Sequence, residues 1–272
     1  MEWPSYRRLQ VWQEESVVLV RINRPEAANA LDRATLTELR DVVEKAHAAD
    51  DVRAVVLTGA GDRVFCAGAD LKERREWKGR EYEARRPLVD LWRALEAFPK
   101  PLVMAVNGHA AGGGFEILFL ADAVIATENA QFWLPEVQWG GIPGGWSTQV
   151  LPRLLGPIRA RWLILSGERL SAEEARACHI VTEVVPAGQL LARSLTVARL
   201  LAELPPTAVA MAKEAVRHAL NAPLSAGVDV EDRLLQIATA APERETYLAK
   251  FFGPRPKGEA TGGTQASKAA EA

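Results

Sequence analysis

Leu102-Val103-Met104-Ala105-Val106-Asn107-Gly108-His109-Ala110-Ala111-Gly112-Gly113-Gly114-Phe115-Glu116 is the stretch on which the fold turns. Its first five residues are apolar and read as a buried strand, and from about residue 113 to 120 the pattern is helical. Between them stand three glycines, which cost conformational entropy and offer no side chain to a core. Such a turn is either a tight strand-to-helix connection or a place where backbone approaches a ligand with free N–H donors. The glycines alone do not choose between these. No Lys-Ser/Thr follows the last glycine and the dinucleotide-loop spacing is not met, so nucleotide phosphate binding of either kind is excluded.

Outward from this stretch, residues 17–22 and 52–58 read as strands. Residues 31–49 carry a helical stripe of Leu36, Leu39, Val42, Val43 and Ala46. Residues 88–98 are helical and stop at Pro99-Lys100-Pro101, and residues 123–126 form a further strand. Strands alternating with helices predict an α/β core over residues 1–186. Beyond Pro186 the pattern is helical, at 187–204, 207–219 and 223–240, which sets apart a helical C-terminal region over 187–252. Residues 253–272 are poor in large apolar groups and are expected to be a disordered tail.

The chain has 272 residues, a net charge of −2 and two cysteines. The charge carries no basic stripe of the kind that binds nucleic acid, and no window is apolar enough to span a membrane. The run from residue 72 to 86 mixes bases and acids and reads mainly as a solvated face. Two lone thiols and a polar N-terminus point to a cytoplasmic protein.

Three segments carry chemistry. Glu116 sits among Phe115, Ile117, Leu118, Phe119 and Leu120, where a carboxylate is costly unless paired, hydrogen-bonded or kept for proton transfer. Val64-Phe65-Cys66-Ala67-Gly68-Ala69-Asp70-Leu71-Lys72 places small residues after a strand, leaving room for a ligand against backbone. Cys66 reads as a small buried residue, and Asp70 as a turn cap or a site residue. Leu134-Pro135-Glu136 opens a Gly/Pro-rich loop, through Gly144-Gly145, of the kind that lines pockets.

In this order and spacing the three segments resemble the enoyl-CoA hydratase/isomerase (crotonase) superfamily. Asn23-Arg24-Pro25-Glu26-Ala27-Ala28-Asn29-Ala30-Leu31 looks like its N-terminal signature, and residues 131–136 and 165–175 add two more matches. The resemblance implies a crotonase-like spiral of ββα units with a helical C-terminal trimerisation region. It implies an acyl-CoA thioester as substrate, with no metal and no cofactor, in a homotrimer or dimer of trimers. The N–H groups of Ala69 and Gly113 would form an oxyanion hole. Glu116 would help activate a water, and Glu136 would supply a proton to the α carbon. Ala67, Asp70, Leu71, Lys72, Gly112 and Gly144, with Trp133, Trp139 and Trp146, would contact substrate or CoA; Arg24 and Lys257 are further phosphate candidates.

Two acids favour an enoyl-CoA hydratase, which adds water reversibly and syn to a 2-trans-enoyl-CoA. The alternatives are another reaction of the superfamily (isomerase, hydrolase or dehydratase), or a non-catalytic acyl-CoA- or RNA-binding paralogue. Departures are also present. Trp146-Ser147 stands where the family often has small residues, and the basic C-terminal finish is thinned. The first predicts a reshaped or shortened acyl pocket.

Overall fold

The computed structural model describes residues 3–253. It begins with β1 (Leu9–Glu14), β2 (Val17–Ile22), α1 (Arg33–Ala48), β3 (Ala54–Gly59), β4 (Val64–Cys66), α2 (Leu71–Glu76) and α3 (Glu81–Glu96). Next come β5 (Leu102–Val106), β6 (His109–Ala111), α4 (Gly113–Glu116), β7 (Ala123–Thr127) and β8 (Gln131–Trp133). Then α5 (Ser147–Leu155), α6 (Pro157–Ser166), β9 (Leu170–Ser171), α7 (Ala172–Ala177) and β10 (Glu183–Val185) lead to the final helices. These are α8 (Leu190–Ala202), α9 (Pro206–Ala219), α10 (Leu224–Thr239) and α11 (Arg244–Phe252).

The strands form two sheets, ordered β1-β2-β3-β5-β7-β10 and β4-β6-β8-β9. The chain visits them alternately: β3 then β4, β5 then β6, β7 then β8. Each visit adds a parallel strand beside the previous one in the same sheet. This is the spiral of repeated units that the resemblance implied.

Alternation along the large sheet decides its two faces. Val17, Leu19, Ala54, Val56, Val103, Ala105, Ala123 and Ile125 face α8, meeting Leu190, Leu195, Ala198 and Ala202. The intervening Val18, Val20, Val55, Leu57, Met104 and Val124 face α1, α3 and the small sheet. Because both faces are covered, β2, β3, β5 and β7 read as nearly unbroken apolar runs. Helix α1 starts where the Asp32 carboxylate accepts from Thr35 N at 2.7 Å, a cap that satisfies an otherwise free N–H.

The structure departs from expectation in local detail. The charged run is mostly exposed, as expected of a solvated face, but it builds α2 and the first turns of α3, which starts well before residue 88. The helix expected over 113–120 is α-helical only to Glu116, and residues Ile117–Leu120 tighten into a 3-10 turn. Apart from Gly253, the tail expected over 253–272 lies outside the described residues, as does Lys257. Among the described residues no single helix is long and apolar enough to cross a membrane.

Candidate active site

The strands β4, β6 and β8 lie side by side and parallel, so the chain leaves all three at one edge of the small sheet. Ligands commonly bind beyond the carboxyl ends of parallel strands. Here those ends are extended by Ala67 to Asp70, by Gly112 to Glu116, and by Leu134 to Glu136. A cavity of about 430 Å³ opens at this edge, within the range of small-molecule sites. Of the expected residues it gathers Ala67, Ala69, Leu71, Gly112, Gly113, Glu116, Glu136, Trp139, Gly144 and Trp146.

Backbone is brought unusually close here. A methyl group at Gly68 would lie 2.7 Å from Ala111 O and 2.9 Å from Gly113 N, and one at Gly114 would lie 2.2 Å from Cys66 O. These contacts set the turn after β4 against the glycine turn after β6, with Ala69 and Gly113 both lining the cavity. No hydrogen bond from either N–H is found among the described residues. Two unpaired donors on one wall can receive an oxygen on which negative charge develops. Gly112 adopts φ 50°, and a methyl there would meet Glu136 Oε1 at 2.7 Å.

The two carboxylates are held differently. Glu116 is 2% exposed, and its Oε1 accepts from Gly145 N at 2.8 Å, Ser147 N at 3.3 Å and Ser147 Oγ at 2.6 Å. Burial of its carboxylate is thereby offset by three donors from one loop. Trp92 on α3 fixes that loop in turn, donating through Nε1 to Gly145 O at 3.0 Å. Glu136 is 7% exposed, and its Oε2 has no hydrogen-bond partner. Burial, reinforced by the charge of Glu116, pushes the Glu136 carboxyl up to about 7. One acid is thus clamped as an acceptor, and the other is poised to exchange a proton near neutrality.

Trp146 precedes Ser147 at φ 79°, a left-handed conformation that costs a side-chain-bearing residue about 1–2 kcal/mol. Its half-buried ring packs on the core and forms part of the cavity wall. The sequence signalled this departure but not its companion, the Ser147 hydroxyl on Glu116.

Other expected residues are not brought to the cavity. Asp70 caps α2, accepting from Lys72 N and Glu73 N, and pairs with Arg24 at 3.0 Å. Arg24 is itself buried, between Asp32 at 3.3 Å, Asp70 and Ala30 O, so it is a brace rather than a phosphate ligand. Lys72 is exposed and does not line the cavity. Trp133 lies under the Arg169 guanidinium, 4.2 Å from its ring centre, and meets His109 edge-on. Cys66 is buried, and burial pushes its thiol up to about 12, so it is not a nucleophile. Several cavity residues carry no signal in the sequence, among them Leu88, Thr148, Gln149 and two cations, Arg74 and Arg85. Both cations lie inside the mixed charge run, where nothing in the pattern separates them from solvated neighbours.

Residues 13–256 match the family model described as Enoyl-CoA hydratase/isomerase. The chain is 38% identical over 247 residues to the 2,3-dehydroadipyl-CoA hydratase of Escherichia coli, covering 91% of this chain and 96% of that protein. It is 35% identical over 246 residues to the short-chain-enoyl-CoA hydratase of Clostridium acetobutylicum, covering 89% and 94%. The crystal structure of an enoyl-CoA hydratase from Bacillus anthracis superposes with a TM-score of 0.86 at 36% identity, covering 90% of this chain and 96% of that one.

Proposed function

The chain belongs to the enoyl-CoA hydratase/isomerase family, and we propose that it is a hydratase, adding water to 2-trans-enoyl-CoA thioesters to give 3-hydroxyacyl-CoA. One observation carries this reading: two buried carboxylates, one clamped and one with a free oxygen, share a cavity with two unpaired N–H groups. In this reading the N–H groups of Ala69 and Gly113 bind the thioester oxygen as it becomes enolate-like. Each such donor contributes about 3–4 kcal/mol at a transition state. Glu116 accepts a proton from water as the oxygen attacks the β carbon, and Glu136 gives its own proton to the α carbon. Both proton transfers are met by side chains of this protein, so the chemistry calls for no resident metal or redox group. The test is direct: crotonyl-CoA should lose its conjugated-thioester absorbance as 3-hydroxybutyryl-CoA forms, and an inert protein would reject the reading for short chains.

A pH dependence follows. The acid pair must carry one proton to begin either direction, on Glu136 for hydration and on Glu116 for dehydration. With Glu136 raised to about 7, that proton is lost as the pH climbs past 7. The value of kcat/KM should then fall about tenfold per pH unit on the alkaline side. The fall must be the same for hydration and dehydration, because the overall reaction neither takes up nor releases a proton. A flat profile between pH 7 and 9 would reject Glu136 as the proton donor.

We also propose self-association, as a trimer or dimer of trimers, in a reducing compartment such as the cytoplasm. Within the described chain α9, α10 and α11 bury no residue, and Val216, Leu224, Leu235, Ile237, Phe251 and Phe252 stand exposed. So much exposed apolar surface is what an interface between copies covers. Sedimentation at micromolar concentration should give a multiple of three chains; a monomer would rule this out.

A further inference from the structure

The cavity wall holds two cations that the proposed chemistry does not use. Arg74 projects from α2 and Arg85 from α3, and both line the cavity that holds Glu116 and Glu136. Among the described residues the Arg74 side chain makes no hydrogen bond or ion pair. Among described side chains and backbone, Arg85 has a single partner, the neutral carbonyl oxygen of Gly144 at 2.6 Å. At the start of α2 the acids are otherwise engaged: Asp70 pairs with Arg24, and Glu73 accepts from Arg33 N at 2.8 Å. A guanidinium in a ligand cavity with no anionic partner has donors to spare, and its fork geometry suits a carboxylate.

Position along the substrate narrows what the anion is. Arg74 is close enough to Glu136 for its charge to act on that carboxyl. Arg85 touches Gly144, the neighbour of the Gly145 that donates to Glu116. Both cations therefore stand at the acid end of the cavity. On the hydratase reading the acids meet the α and β carbons, so groups beyond them meet the far end of the acyl chain, whereas CoA departs from the sulfur in the other direction. Both residues are exposed at the cavity, and a plain alkyl tail laid over them would strip water from the two guanidinium groups and return nothing.

We infer that Arg74 and Arg85 recognise an anionic group at the distal end of the acyl chain, so that the substrate class is enoyl-CoA thioesters bearing a terminal carboxylate. This rests on the hydratase reading for its orientation. Trp146 is on the same cavity wall, and the reach from the acids to these cations sets the chain length that fits.

The test compares trans-2-hexenoyl-CoA with its six-carbon analogue ending in a carboxylate. Both carry the same CoA, so any contact to the CoA phosphates affects them equally. The expected result is a kcat/KM at least tenfold higher for the carboxylate. Arg74→Met and Arg85→Met should each lower that ratio by about tenfold to a hundredfold, the range for a lost charge-assisted hydrogen bond. A ratio near one in the unaltered protein, or variants that depress both substrates equally, would overturn the inference. Calorimetry with the two saturated thioesters keeps the readings apart. A Kd preference for the carboxylate without turnover would retain anion recognition and sink hydration; equal Kd values would sink recognition whatever the turnover.

Discussion

Replacing Glu136 by Gln should lower kcat by about 10²–10⁴-fold, the usual loss when a positioned acid or base is removed, while making the protein more stable above neutral pH. The two effects share one cause. The Glu136 carboxyl, with Oε2 unpartnered, is raised from 4.5 to about 7 by burial and by Glu116. A carboxyl raised on folding binds its proton more tightly in the folded state. Its penalty is absent below the unfolded value, grows as the pH rises toward 7, and is complete above it. For this partly solvated group the full penalty is about 2–3 kcal/mol. The amide carries no charge and escapes it. At pH 8 the variant should therefore melt about 5 °C or more above the unaltered protein, with the gap closing toward pH 5. Calorimetric scans at the two pH values read this, beside the crotonyl-CoA assay. Lower stability of the variant at pH 8 would show that Glu136 is not held against its charge.

The second large effect is expected of Gly114→Ala. Its new methyl would sit 2.2 Å from Cys66 O and 2.7 Å from both Cys66 C and Cβ, contacts that real side chains do not make. The obstructing atoms are mainly backbone of β4, so no rotamer change relieves them. Either the glycine turn or the end of β4 must withdraw, at a cost of about 3 kcal/mol or more. Withdrawal also separates Ala69 N from Gly113 N. Activity of whatever remains folded should fall by about 10²–10³-fold, as when one oxyanion donor is lost. Gly61→Ala is the control: Gly61 has φ 85°, but nothing lies within 4 Å of the added methyl. It should lose about 1–2 kcal/mol to backbone strain and keep its kcat. Equal losses in kcat for the two variants would argue against the apposition of the two turns.

The large sheet was legible because its strands are long and buried on both faces. Residues 17–22, 102–106 and 123–127 announce themselves as apolar runs. The small sheet was not, since β6 and β8 have three residues each and β9 two, too few for any period to register. Edge strand β1, with Gln10, Gln13 and Glu14 among its six residues, looks no different from a polar leader. In the cavity, Glu116 was legible as an acid among apolar neighbours. The engagement of Asp70 was not, because its partner Arg24 lies 46 residues away in sequence. Arg74 and Arg85 were hidden for a related reason: only the docking of α2 and α3 distinguishes them from Arg75 and Arg86.

The pair of N–H groups at Ala69 and Gly113 has a consequence for inheritance. Every residue except proline encodes a backbone N–H, so no codon at either position specifies the donor itself. Selection reaches the pair only indirectly, through neighbours small enough to let two turns of chain touch, as Gly68, Gly112 and Gly114 do. The genetic trace of that apposition is therefore a set of side chains left out, and drift elsewhere in these turns can rewrite their chemistry without erasing it.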